Sequence, residues 1–552
     1  MKAYLKKSGY LIVLSFITLS VYAQSYDKGI KLLEQQQFGS AKNWFKQQLQ
    51  KQASDARLWY FFGELYFTQN ITDSANYCYS RGLSVNATDP INSVGIAKIL
   101  FINSKPIDAK NSLLQIIKSN KNSKDLQFYL ALAEAYKTGK EYTLALEQLN
   151  KAKDISKNAA EVFIKRGDIA LAQLNLSPQK AGEAANEYER AAFYNKNYPL
   201  AYYKLGQLYV LARNYGEALI AFENVLKTDT NFIPVYKDLG ELYFTTGKFE
   251  KAANAYSKYI KISEYNFNDI ARYAQMLFFS KNYSESYKII DKILTKDPNN
   301  FVMLRLQAYN SYETNDTAKA LKSMNSMLKL VNEKNKLLIN DYEYFAKILS
   351  ATNRDSLAII YYQLIIKEDS SQNLLYENIA EAYYKMKRYP QAIAYYKKYL
   401  KTLANPKSND YHQLGRTCYI YITNEVSPLD TVTKKFYATT GDSIYSKVIE
   451  LLPEHFMGYL YKARINAVLD PEINKGLAKP FYEQLTKITE TNPEKYKKEL
   501  IEAYSYLGYY YYVKNDIPTS KTFWEKILVL DPDDNKAKEA LKGLSKQKSK
   551  SK

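Results

Sequence analysis

Two stretches of this chain follow one template: YYKLGQLYVLARNYGEALIAF at residues 202–222 and YKDLGELYFTTGKFEKAANAY at residues 236–256. The second stretch begins 34 residues after the first, and both carry an aromatic residue, Leu-Gly, a tyrosine, an alanine and a second aromatic residue at the same spacings. Apolar side chains that recur every three or four residues share one face of an α-helix. Each stretch therefore predicts two helices joined by a short turn.

The template recurs along almost the whole chain of 552 residues. We number the copies repeats 1 to 14, and we number the positions within a repeat as slots, so that Tyr202 fills slot four and Gly206 fills slot eight of repeat 6. Such a period indicates helix pairs that share one continuous core, in place of the three or four globular domains that the length alone would suggest. The repeats begin near residues 22, 56, 90, 126, 160, 199, 233, 267, 301, 339, 373, 408, 456 and 501.

Small residues at two slots explain how the helices of a pair can pack. Slot eight, filled by Gly206 in repeat 6 and Gly240 in repeat 7, lets the second helix approach closely. The alanine near the start of the second helix, such as Ala218, does the same from the other side. The turns between the helices are predicted to use residues that end helices, among them Gly139 and Gly247.

This pattern resembles the tetratricopeptide repeat (TPR) family, and the resemblance covers nearly all of the chain after residue 23. It implies an all-α fold: a right-handed α-solenoid (superhelix) of about fourteen TPR-like helix-turn-helix repeats. In relatives, the first helices of the pairs line a concave surface that contacts a peptide or protein. The resemblance therefore implies a binding protein.

The composition narrows the possible functions. The chain has 77 Lys+Arg against 57 Asp+Glu, a net charge of +20, but its lysines are spread through every segment, so we expect no nucleic-acid partner. No phosphate-binding, dinucleotide-binding or hydrolase motif is present. Cys78, Cys418, His412 and His455 are scattered without metal-ligand spacing, and both cysteines are expected in or near the core, Cys78 half-buried. We expect no enzyme activity, catalytic residue, metal or cofactor.

The start of the chain is typical of a signal peptide. Lys2, Lys6 and Lys7 precede an apolar stretch at residues 10–20, which is too short to span a membrane, and a small-residue cleavage site lies before Gln24. We therefore expect cleavage after residue 23 and no integral membrane segment in the mature chain. The expected location is a bacterial periplasm, with secretion as the alternative.

The remaining chain is predicted to have three parts. Residues 24–405 form the regular N-terminal array, and residues 406–533 form divergent C-terminal repeats with loop insertions at 422–441 and around 470–476. Residues 534–552 are predicted as a capping helix, ending near Leu544, and a disordered basic tail. Spacer loops are the favoured interpretation of the insertions, and a functional insertion is left open.

Slots two, five, nine and twelve of the first helices are the partner-contacting positions that the resemblance implies. Because Lys237 and Glu241 should project from one inner helix, reversing their charges is expected to weaken a partner without unfolding the protein, whereas Gly240→Leu should overpack the helix pair. The candidate partner-binding residues on the concave face are Glu64, Glu134, Asp168, Lys237, Glu241, Arg272, Glu381, Arg416 and Tyr509.

Most of the 54 tyrosines fill aromatic slots and are therefore expected in the core. Tyr509 to Tyr512 are four in succession, so at least one or two must face outward or line a groove. The predicted function is a non-enzymatic scaffold of the bacterial cell envelope, whose concave surface binds a peptide or protein of the envelope or secretion machinery. A glycan- or peptidoglycan-binding envelope protein that uses groove tyrosines is the alternative.

Overall fold

The computed structural model describes residues 26–550, with side chains up to Ser545, and every regular element in that range is helical. The predicted signal peptide, residues 1–23, lies outside the described residues. The first sixteen helices are α1 over residues 26–34, α2 Phe38–Lys51, α3 Ala56–Thr68, α4 Thr72–Val85, α5 Pro90–Ile102, α6 Pro106–Ser119, α7 Leu126–Thr138, α8 Tyr142–Ile155, α9 Ala160–Ala172, α10 Gln179–Tyr194, α11 Pro199–Leu211, α12 Tyr215–Thr228, α13 Pro234–Thr245, α14 Phe249–Ile262, α15 Phe267–Phe279 and α16 Tyr283–Lys296.

The helices continue without change of type to the end of the described residues. A 3-10 helix, Ser370–Leu375, is inserted between α20 and α21. The helices are α17 Phe301–Glu313, α18 Thr317–Leu328, α19 Ile339–Ala351, α20 Asp355–Glu368, α21 Tyr376–Lys385, α22 Tyr389–Thr402, α23 Ser408–Ile422, α24 Thr431–Leu451, α25 Phe456–Leu469, α26 Lys479–Thr489, α27 Lys497–Val513, α28 Ile517–Leu530 and α29 Asn535–Lys550.

The predicted all-α solenoid of fourteen helix pairs is confirmed over residues 26–550, including the weakly matching repeats 3, 9 and 13. The chain divides into an N-terminal unit that ends at Lys296, holding repeats 1–8, and a C-terminal unit that begins at Asp297, holding repeats 9–14 and α29. The predicted division at residues 405–406 falls inside the C-terminal unit. There Tyr396 of repeat 11 and Leu414 of repeat 12 belong to one hydrophobic cluster.

In several pairs a small slot-eight residue lies against a ring of the second helix. A Cβ atom on Gly206 would lie 2.3 Å from the Phe222 ring, and one on Gly240 would lie 2.7 Å from Cδ2 of Tyr256. Both rings are essentially inaccessible to solvent, and Ala218 is fully buried. The predicted role of the small slots is therefore confirmed.

The turn within most repeats contains one residue in the left-handed region of backbone conformation. Gly247 takes this role in repeat 7, as predicted, with φ of 72°. In repeat 4 the predicted turn also ends the first helix, with Gly139 directly after α7, and Lys140 takes the left-handed position with φ of 59°. The other turns use non-glycine residues with φ between 55° and 63°: Gln36, Asn70, Ser104, Arg213, Lys281, Asn315, Asn353, Lys387 and Asn515.

Side-chain caps start several first helices and join neighbouring repeats. Asp55, Asp89 and Asp125 cap α3, α5 and α7, each accepting a hydrogen bond from a backbone N–H of the first turn. The guanidinium of Arg57 donates to Asp89 at 3.0 Å and also to Asp125. One arginine therefore links the caps of three successive repeats.

The insertions of repeats 12 and 13 are more ordered than spacer loops. Much of the insertion at 422–441 is helical, because α24 extends over 21 residues from Thr431. In repeat 13 the buried carboxylate of Asp470 accepts hydrogen bonds from the backbone N–H groups of Lys475, Gly476 and Leu477. Three N–H donors to one carboxylate fix this loop.

The last described helix covers the end of the C-terminal unit. Ala537 and Leu544 of α29 are buried against Trp524 and Ile527 of α28. This packing against the last helix pair is what a capping helix requires. The helix is longer than predicted, since it continues past Leu544 to Lys550.

Replacing Gly240 with leucine is expected to lower the free energy of unfolding by roughly 1–3 kcal/mol, because the side chain would have to displace the Tyr256 ring. Gly216→Leu is the matched control, since no atom lies within 4 Å of a Cβ at that position in α12. Urea unfolding of both variants measures the difference. Equal stabilities would contradict the packing role of slot eight.

Candidate functional site

The first helices of the N-terminal unit face a common cavity of about 570 Å³. Residues of α1, α3, α7, α9 and α11 line it, which are the first helices of repeats 1, 2, 4, 5 and 6. Three predicted site residues, Glu64, Glu134 and Asp168, lie together in its wall. Slot nine therefore points inward here, as the resemblance implied.

These three carboxylates are already paired within the protein. Glu134 accepts from Lys165 Nζ at 3.1 Å, and Asp168 lies 3.0 Å from Lys204 Nζ. Each lysine occupies slot six of the following repeat, one helix further along the wall. The pairs form a ladder that joins consecutive repeats.

Glu64 is the most completely engaged of the three. Lys98 Nζ donates to its two oxygens at 2.6 and 2.8 Å, and the Tyr79 hydroxyl donates to Oε1 at 2.6 Å. The Lys98 side chain is only 2% exposed, and its Nζ lies 3.8 Å from the centre of the Phe67 ring. Because an unpaired buried charge is costly, Glu64 is needed for stability.

The electrostatics of the wall reflect this pairing. Although burial works to raise the pKa of Glu134, the ammonium groups of Lys165 and Lys137 hold it below its ordinary value. Burial opposes the charge of Lys165, yet Glu134 and Asp168 raise its pKa above the ordinary value. Both groups are therefore charged at neutral pH.

The three predicted residues of repeats 7 and 8 are paired in the same way. Lys237 Nζ lies 2.7 Å from Asp269 Oδ1, and Arg272 donates two parallel hydrogen bonds to Glu241, at 3.0 Å from Nε and 2.7 Å from Nη2. The Asp269 side chain is 5% exposed. Lys237 and Glu241 both lie on α13, and each pairs with a residue of repeat 8, so reversing their charges would also disturb the contact between the two repeats.

The charged site residues predicted in the C-terminal unit differ from those of the N-terminal unit in their lack of ion pairs among the described residues. Glu381 and Arg416, slot nine of repeats 11 and 12, are exposed and have no ion-pair partner among the described residues. Arg416 Cζ lies 5.7 Å from the centre of the Tyr384 ring. Tyr509 is 47% exposed and Tyr512 is 40% exposed, which confirms that part of the tyrosine run faces outward.

Contacts between distant repeats close one side of the N-terminal unit. The Tyr198 hydroxyl, at the start of repeat 6, donates to Glu34 Oε1 of α1 at 2.8 Å, and Lys31 Nζ lies 2.8 Å from Asp229 Oδ2. Burial raises the pKa of Glu34, while the Tyr198 hydrogen bond opposes that effect.

A third distant contact caps a helix from another part of the chain. The Glu264 carboxylate accepts hydrogen bonds from the backbone N–H groups of Gly39 and Ser40 at 2.6 Å and from the Ser40 hydroxyl at 2.7 Å. These donors lie in the first turn of α2, where N–H groups have no partner within the helix. Repeat 1 therefore contacts repeats 6 and 7, and the cavity is partly enclosed instead of being an open groove.

Sequence reasoning missed the basic partners of the slot-nine acids, although a signal was present. Lys165, Lys204 and Arg272 all fill slot six one repeat after an acid in slot nine. A search for opposite charges about one period apart would have found them. No local sequence pattern predicts the hydrogen bonds of Glu34 and Glu264, because their partners are 164 and 224 to 225 residues away.

Three family models match the chain. Residues 237–338 match the TPR domain of cytochrome c-type biogenesis protein H, and residues 167–231 and 375–402 match tetratricopeptide repeats. The solved C-terminal part of a TPR repeat-containing protein from Cytophaga hutchinsonii is 33% identical, and the match covers 49% of this chain and 99% of that chain with a TM-score of 0.41. The chain belongs to the tetratricopeptide repeat family.

Other solved TPR proteins are more distant. A tetratricopeptide repeat protein from Parabacteroides merdae is 15% identical, covering 44% of this chain and 93% of that chain with a TM-score of 0.30. PilW, described as a widely conserved type IV pilus biogenesis factor, is 17% identical, covering 39% and 97% with a TM-score of 0.31. No curated protein matches the chain significantly.

The two cysteines of this TPR protein are free and buried. Cys78 is 2% exposed, which is deeper than the predicted half-burial, and burial raises the pKa of Cys78 and Cys418 to about 12. Between residues 26 and 550 no group of three His, Cys, Asp or Glu residues could hold a metal ion. Over the same residues, no helix combines the length and apolar character needed to cross a bilayer.

Exchanging the charges of one ladder pair tests its role in stability. Glu241→Arg alone places two arginines together and is expected to lower the free energy of unfolding by about 1 kcal/mol. The double variant Glu241→Arg/Arg272→Glu is expected to recover most of this loss. Urea unfolding of the single and double variants measures the coupling, and strictly additive effects would contradict the ladder.

The Glu264 contact is expected to depend on pH. Burial works to raise the pKa of Glu264, but the hydrogen bonds from Ser40 and Gly39 lower it overall. The contact therefore stabilises above the unfolded-state pKa of about 4.3 and is lost as pH falls through the lower folded-state value. Glu264→Gln at pH 7 should speed amide hydrogen exchange at Gly39 and Ser40 several-fold.

Hydrogen-exchange mass spectrometry of the peptide around α2 measures this change. Glu250→Gln, an exposed glutamate of α14 without a hydrogen-bond partner among the described residues, is the matched control. Unchanged exchange in Glu264→Gln would mean that the distant cap does not form in solution.

Proposed function

We propose that this TPR protein is a non-catalytic scaffold of the bacterial cell envelope that binds a peptide or protein partner through the inner side of its first helices. The observation that carries the proposal is the contrast between paired and unpaired charges. Ion pairs within the protein engage the inner-wall carboxylates of Glu64, Glu134 and Asp168 and the predicted site residues of repeats 7 and 8. In contrast, Glu381 and Arg416 are exposed and have no ion-pair partner among the described residues.

Membership of the TPR family supports the general part of this proposal, because TPR repeats serve as protein–protein interaction scaffolds. The envelope context rests on the predicted signal peptide. The family model matched by residues 237–338 describes a biogenesis protein, which fits a role in assembling other proteins.

Four residues of repeats 11 and 12 form a set that we call the slot patch: Glu377, Glu381, Tyr384 and Arg416. Burial raises the pKa of Glu377, and the nearby Glu381 adds to that effect. A cationic side chain of the partner would be attracted to the carboxylates of Glu377 and Glu381. One repeat further along, Arg416 would pair with an acidic side chain of the same partner. Opposite charges on successive repeats would orient an extended partner.

Charge reversal in the slot patch tests this function. Glu381→Arg and Arg416→Glu are expected to leave the melting temperature unchanged, because neither residue has an ion-pair partner among the described residues. Both are expected to reduce capture of a partner at least several-fold in a pulldown from envelope extract. Glu368→Arg, on the second helix of repeat 10 and also exposed, is the matched control.

Two outcomes would contradict the proposal. Equal capture by all three variants would place the partner elsewhere on the protein. Sedimentation of the protein with peptidoglycan or polysaccharide, without any protein partner, would favour the glycan-binding alternative.

A further inference from the structure

A cavity of about 620 Å³ lies on the side of the second helices in repeats 1 and 2. It is formed by α2, α3 and α4 and is therefore separate from the inner wall. Trp59 and Tyr66 form its sides, and Leu49, Phe62 and Cys78 are the buried residues that line it. Tyr77, which also lines it, is 59% exposed.

The corresponding place in repeat 11 is filled by the protein's own tyrosine. The Tyr395 ring, in slot 23, lies 5.9 Å from the slot-four ring of Tyr376 and 5.5 Å from the slot-eleven ring of Tyr383. Lys398 Nζ lies 4.5 Å from the centre of the Tyr395 ring. Gln363, from the second helix of the preceding repeat, donates to the Tyr395 hydroxyl at 2.9 Å.

Repeat 14 uses the same arrangement. Phe523 fills slot 23, stacks on Tyr511 with ring centres 5.7 Å apart, and lies 6.0 Å from Tyr504. Lys526 Nζ lies 5.7 Å from the centre of the Phe523 ring. A ring in slot 23, held between two aromatic residues and beside a cation, is therefore a recurring element of this protein.

Repeat 2 has the surroundings of this element without its ring. Trp59 and Tyr66 fill slots four and eleven, and Arg81 fills slot 26 with its Cζ 5.7 Å from the Trp59 ring. Lys46 also lines the cavity. It fills the position in repeat 1 that Gln363 fills in repeat 10, the repeat that precedes repeat 11. Cys78 fills slot 23, and its side chain is much smaller than an aromatic ring. The space that a ring would occupy is part of the cavity.

Slot 23 is not aromatic in every repeat. Repeats 6 and 7 carry Ala221 and Ala255 there. In repeat 2, slot 23 itself lines a solvent-open cavity that has a lysine, Lys46, at its edge.

We propose that this cavity binds a tyrosine side chain of a partner polypeptide, with the ring between Trp59 and Tyr66 and the phenol oxygen near Lys46 Nζ. The bound ring would take the place that Tyr395 holds in repeat 11. Aromatic pairs favour offset or tilted contacts at such distances, and buried aromatic anchors contribute strongly at interfaces. This site would give the proposed scaffold a second binding surface. It rests on the proposed function only in taking the partner to be a polypeptide.

The test uses 4-methylphenol, the side-chain analogue of tyrosine, with the full-length mature protein and saturation-transfer NMR. Binding in the millimolar range is expected, as for a small fragment. Cys78→Tyr should fill the cavity as Tyr395 does and weaken binding at least tenfold without lowering the melting temperature. Val529→Tyr, which adds a tyrosine at an exposed position, is the matched control and should bind normally.

Two further measurements make the test specific. Lys46→Met should reduce the preference for 4-methylphenol over toluene several-fold, because the phenol oxygen loses its partner. If Cys78→Tyr is poorly folded, Trp59→Leu removes one side of the cavity and should weaken binding to a similar degree.

Undiminished 4-methylphenol binding in the folded cavity variants would overturn the proposal. Binding of methyl glucoside in place of 4-methylphenol would overturn it in favour of a saccharide site. Either result leaves the slot-patch experiment unaffected, so failure of this inference and failure of the proposed function are distinguishable.

Discussion

The close contact between a small residue of one helix and a ring of the next is the constraint on which the rest of this protein depends. At Gly206 and Gly240 there is no room for a Cβ atom beside Phe222 and Tyr256. Because the contact recurs in many of the pairs, the first helices fall on one side of the repeats and the second helices on the other. The inner wall and the outer cavity both follow from that separation.

The ion-pair ladder adds a second constraint that changes how the surface can be used. Charged residues on an inner wall suggest a binding site, yet Glu64 and Lys98 bind each other and are largely withdrawn from solvent. Buried pairs of this kind are costly to break, since each partner would leave an uncompensated charge. Recognition is therefore best sought where the ladder is interrupted, as at Glu381 and Arg416, or where a packing position is left unfilled, as at Cys78.

The sequence predicted the helix pairs well because their determinants are local. Slot-eight residues, capping residues such as Asp55 and the fixed period all act within one or two repeats. The predictions failed where a local pattern had several physical solutions. The insertion before Gly441, for which a spacer loop is the favoured interpretation, is an example, because much of it prolongs α24.

By itself, the amino-acid sequence determined the fold family, the number of repeats and the pairing of the helices within each repeat. Only the tertiary structure decided which inner charges are free and that repeat 1 contacts repeats 6 and 7. Those contacts, such as Glu264 with Ser40 and Glu34 with Tyr198, join residues more than 160 positions apart. They depend on small rotations between successive repeats that accumulate along the array, and no short segment of sequence encodes that sum.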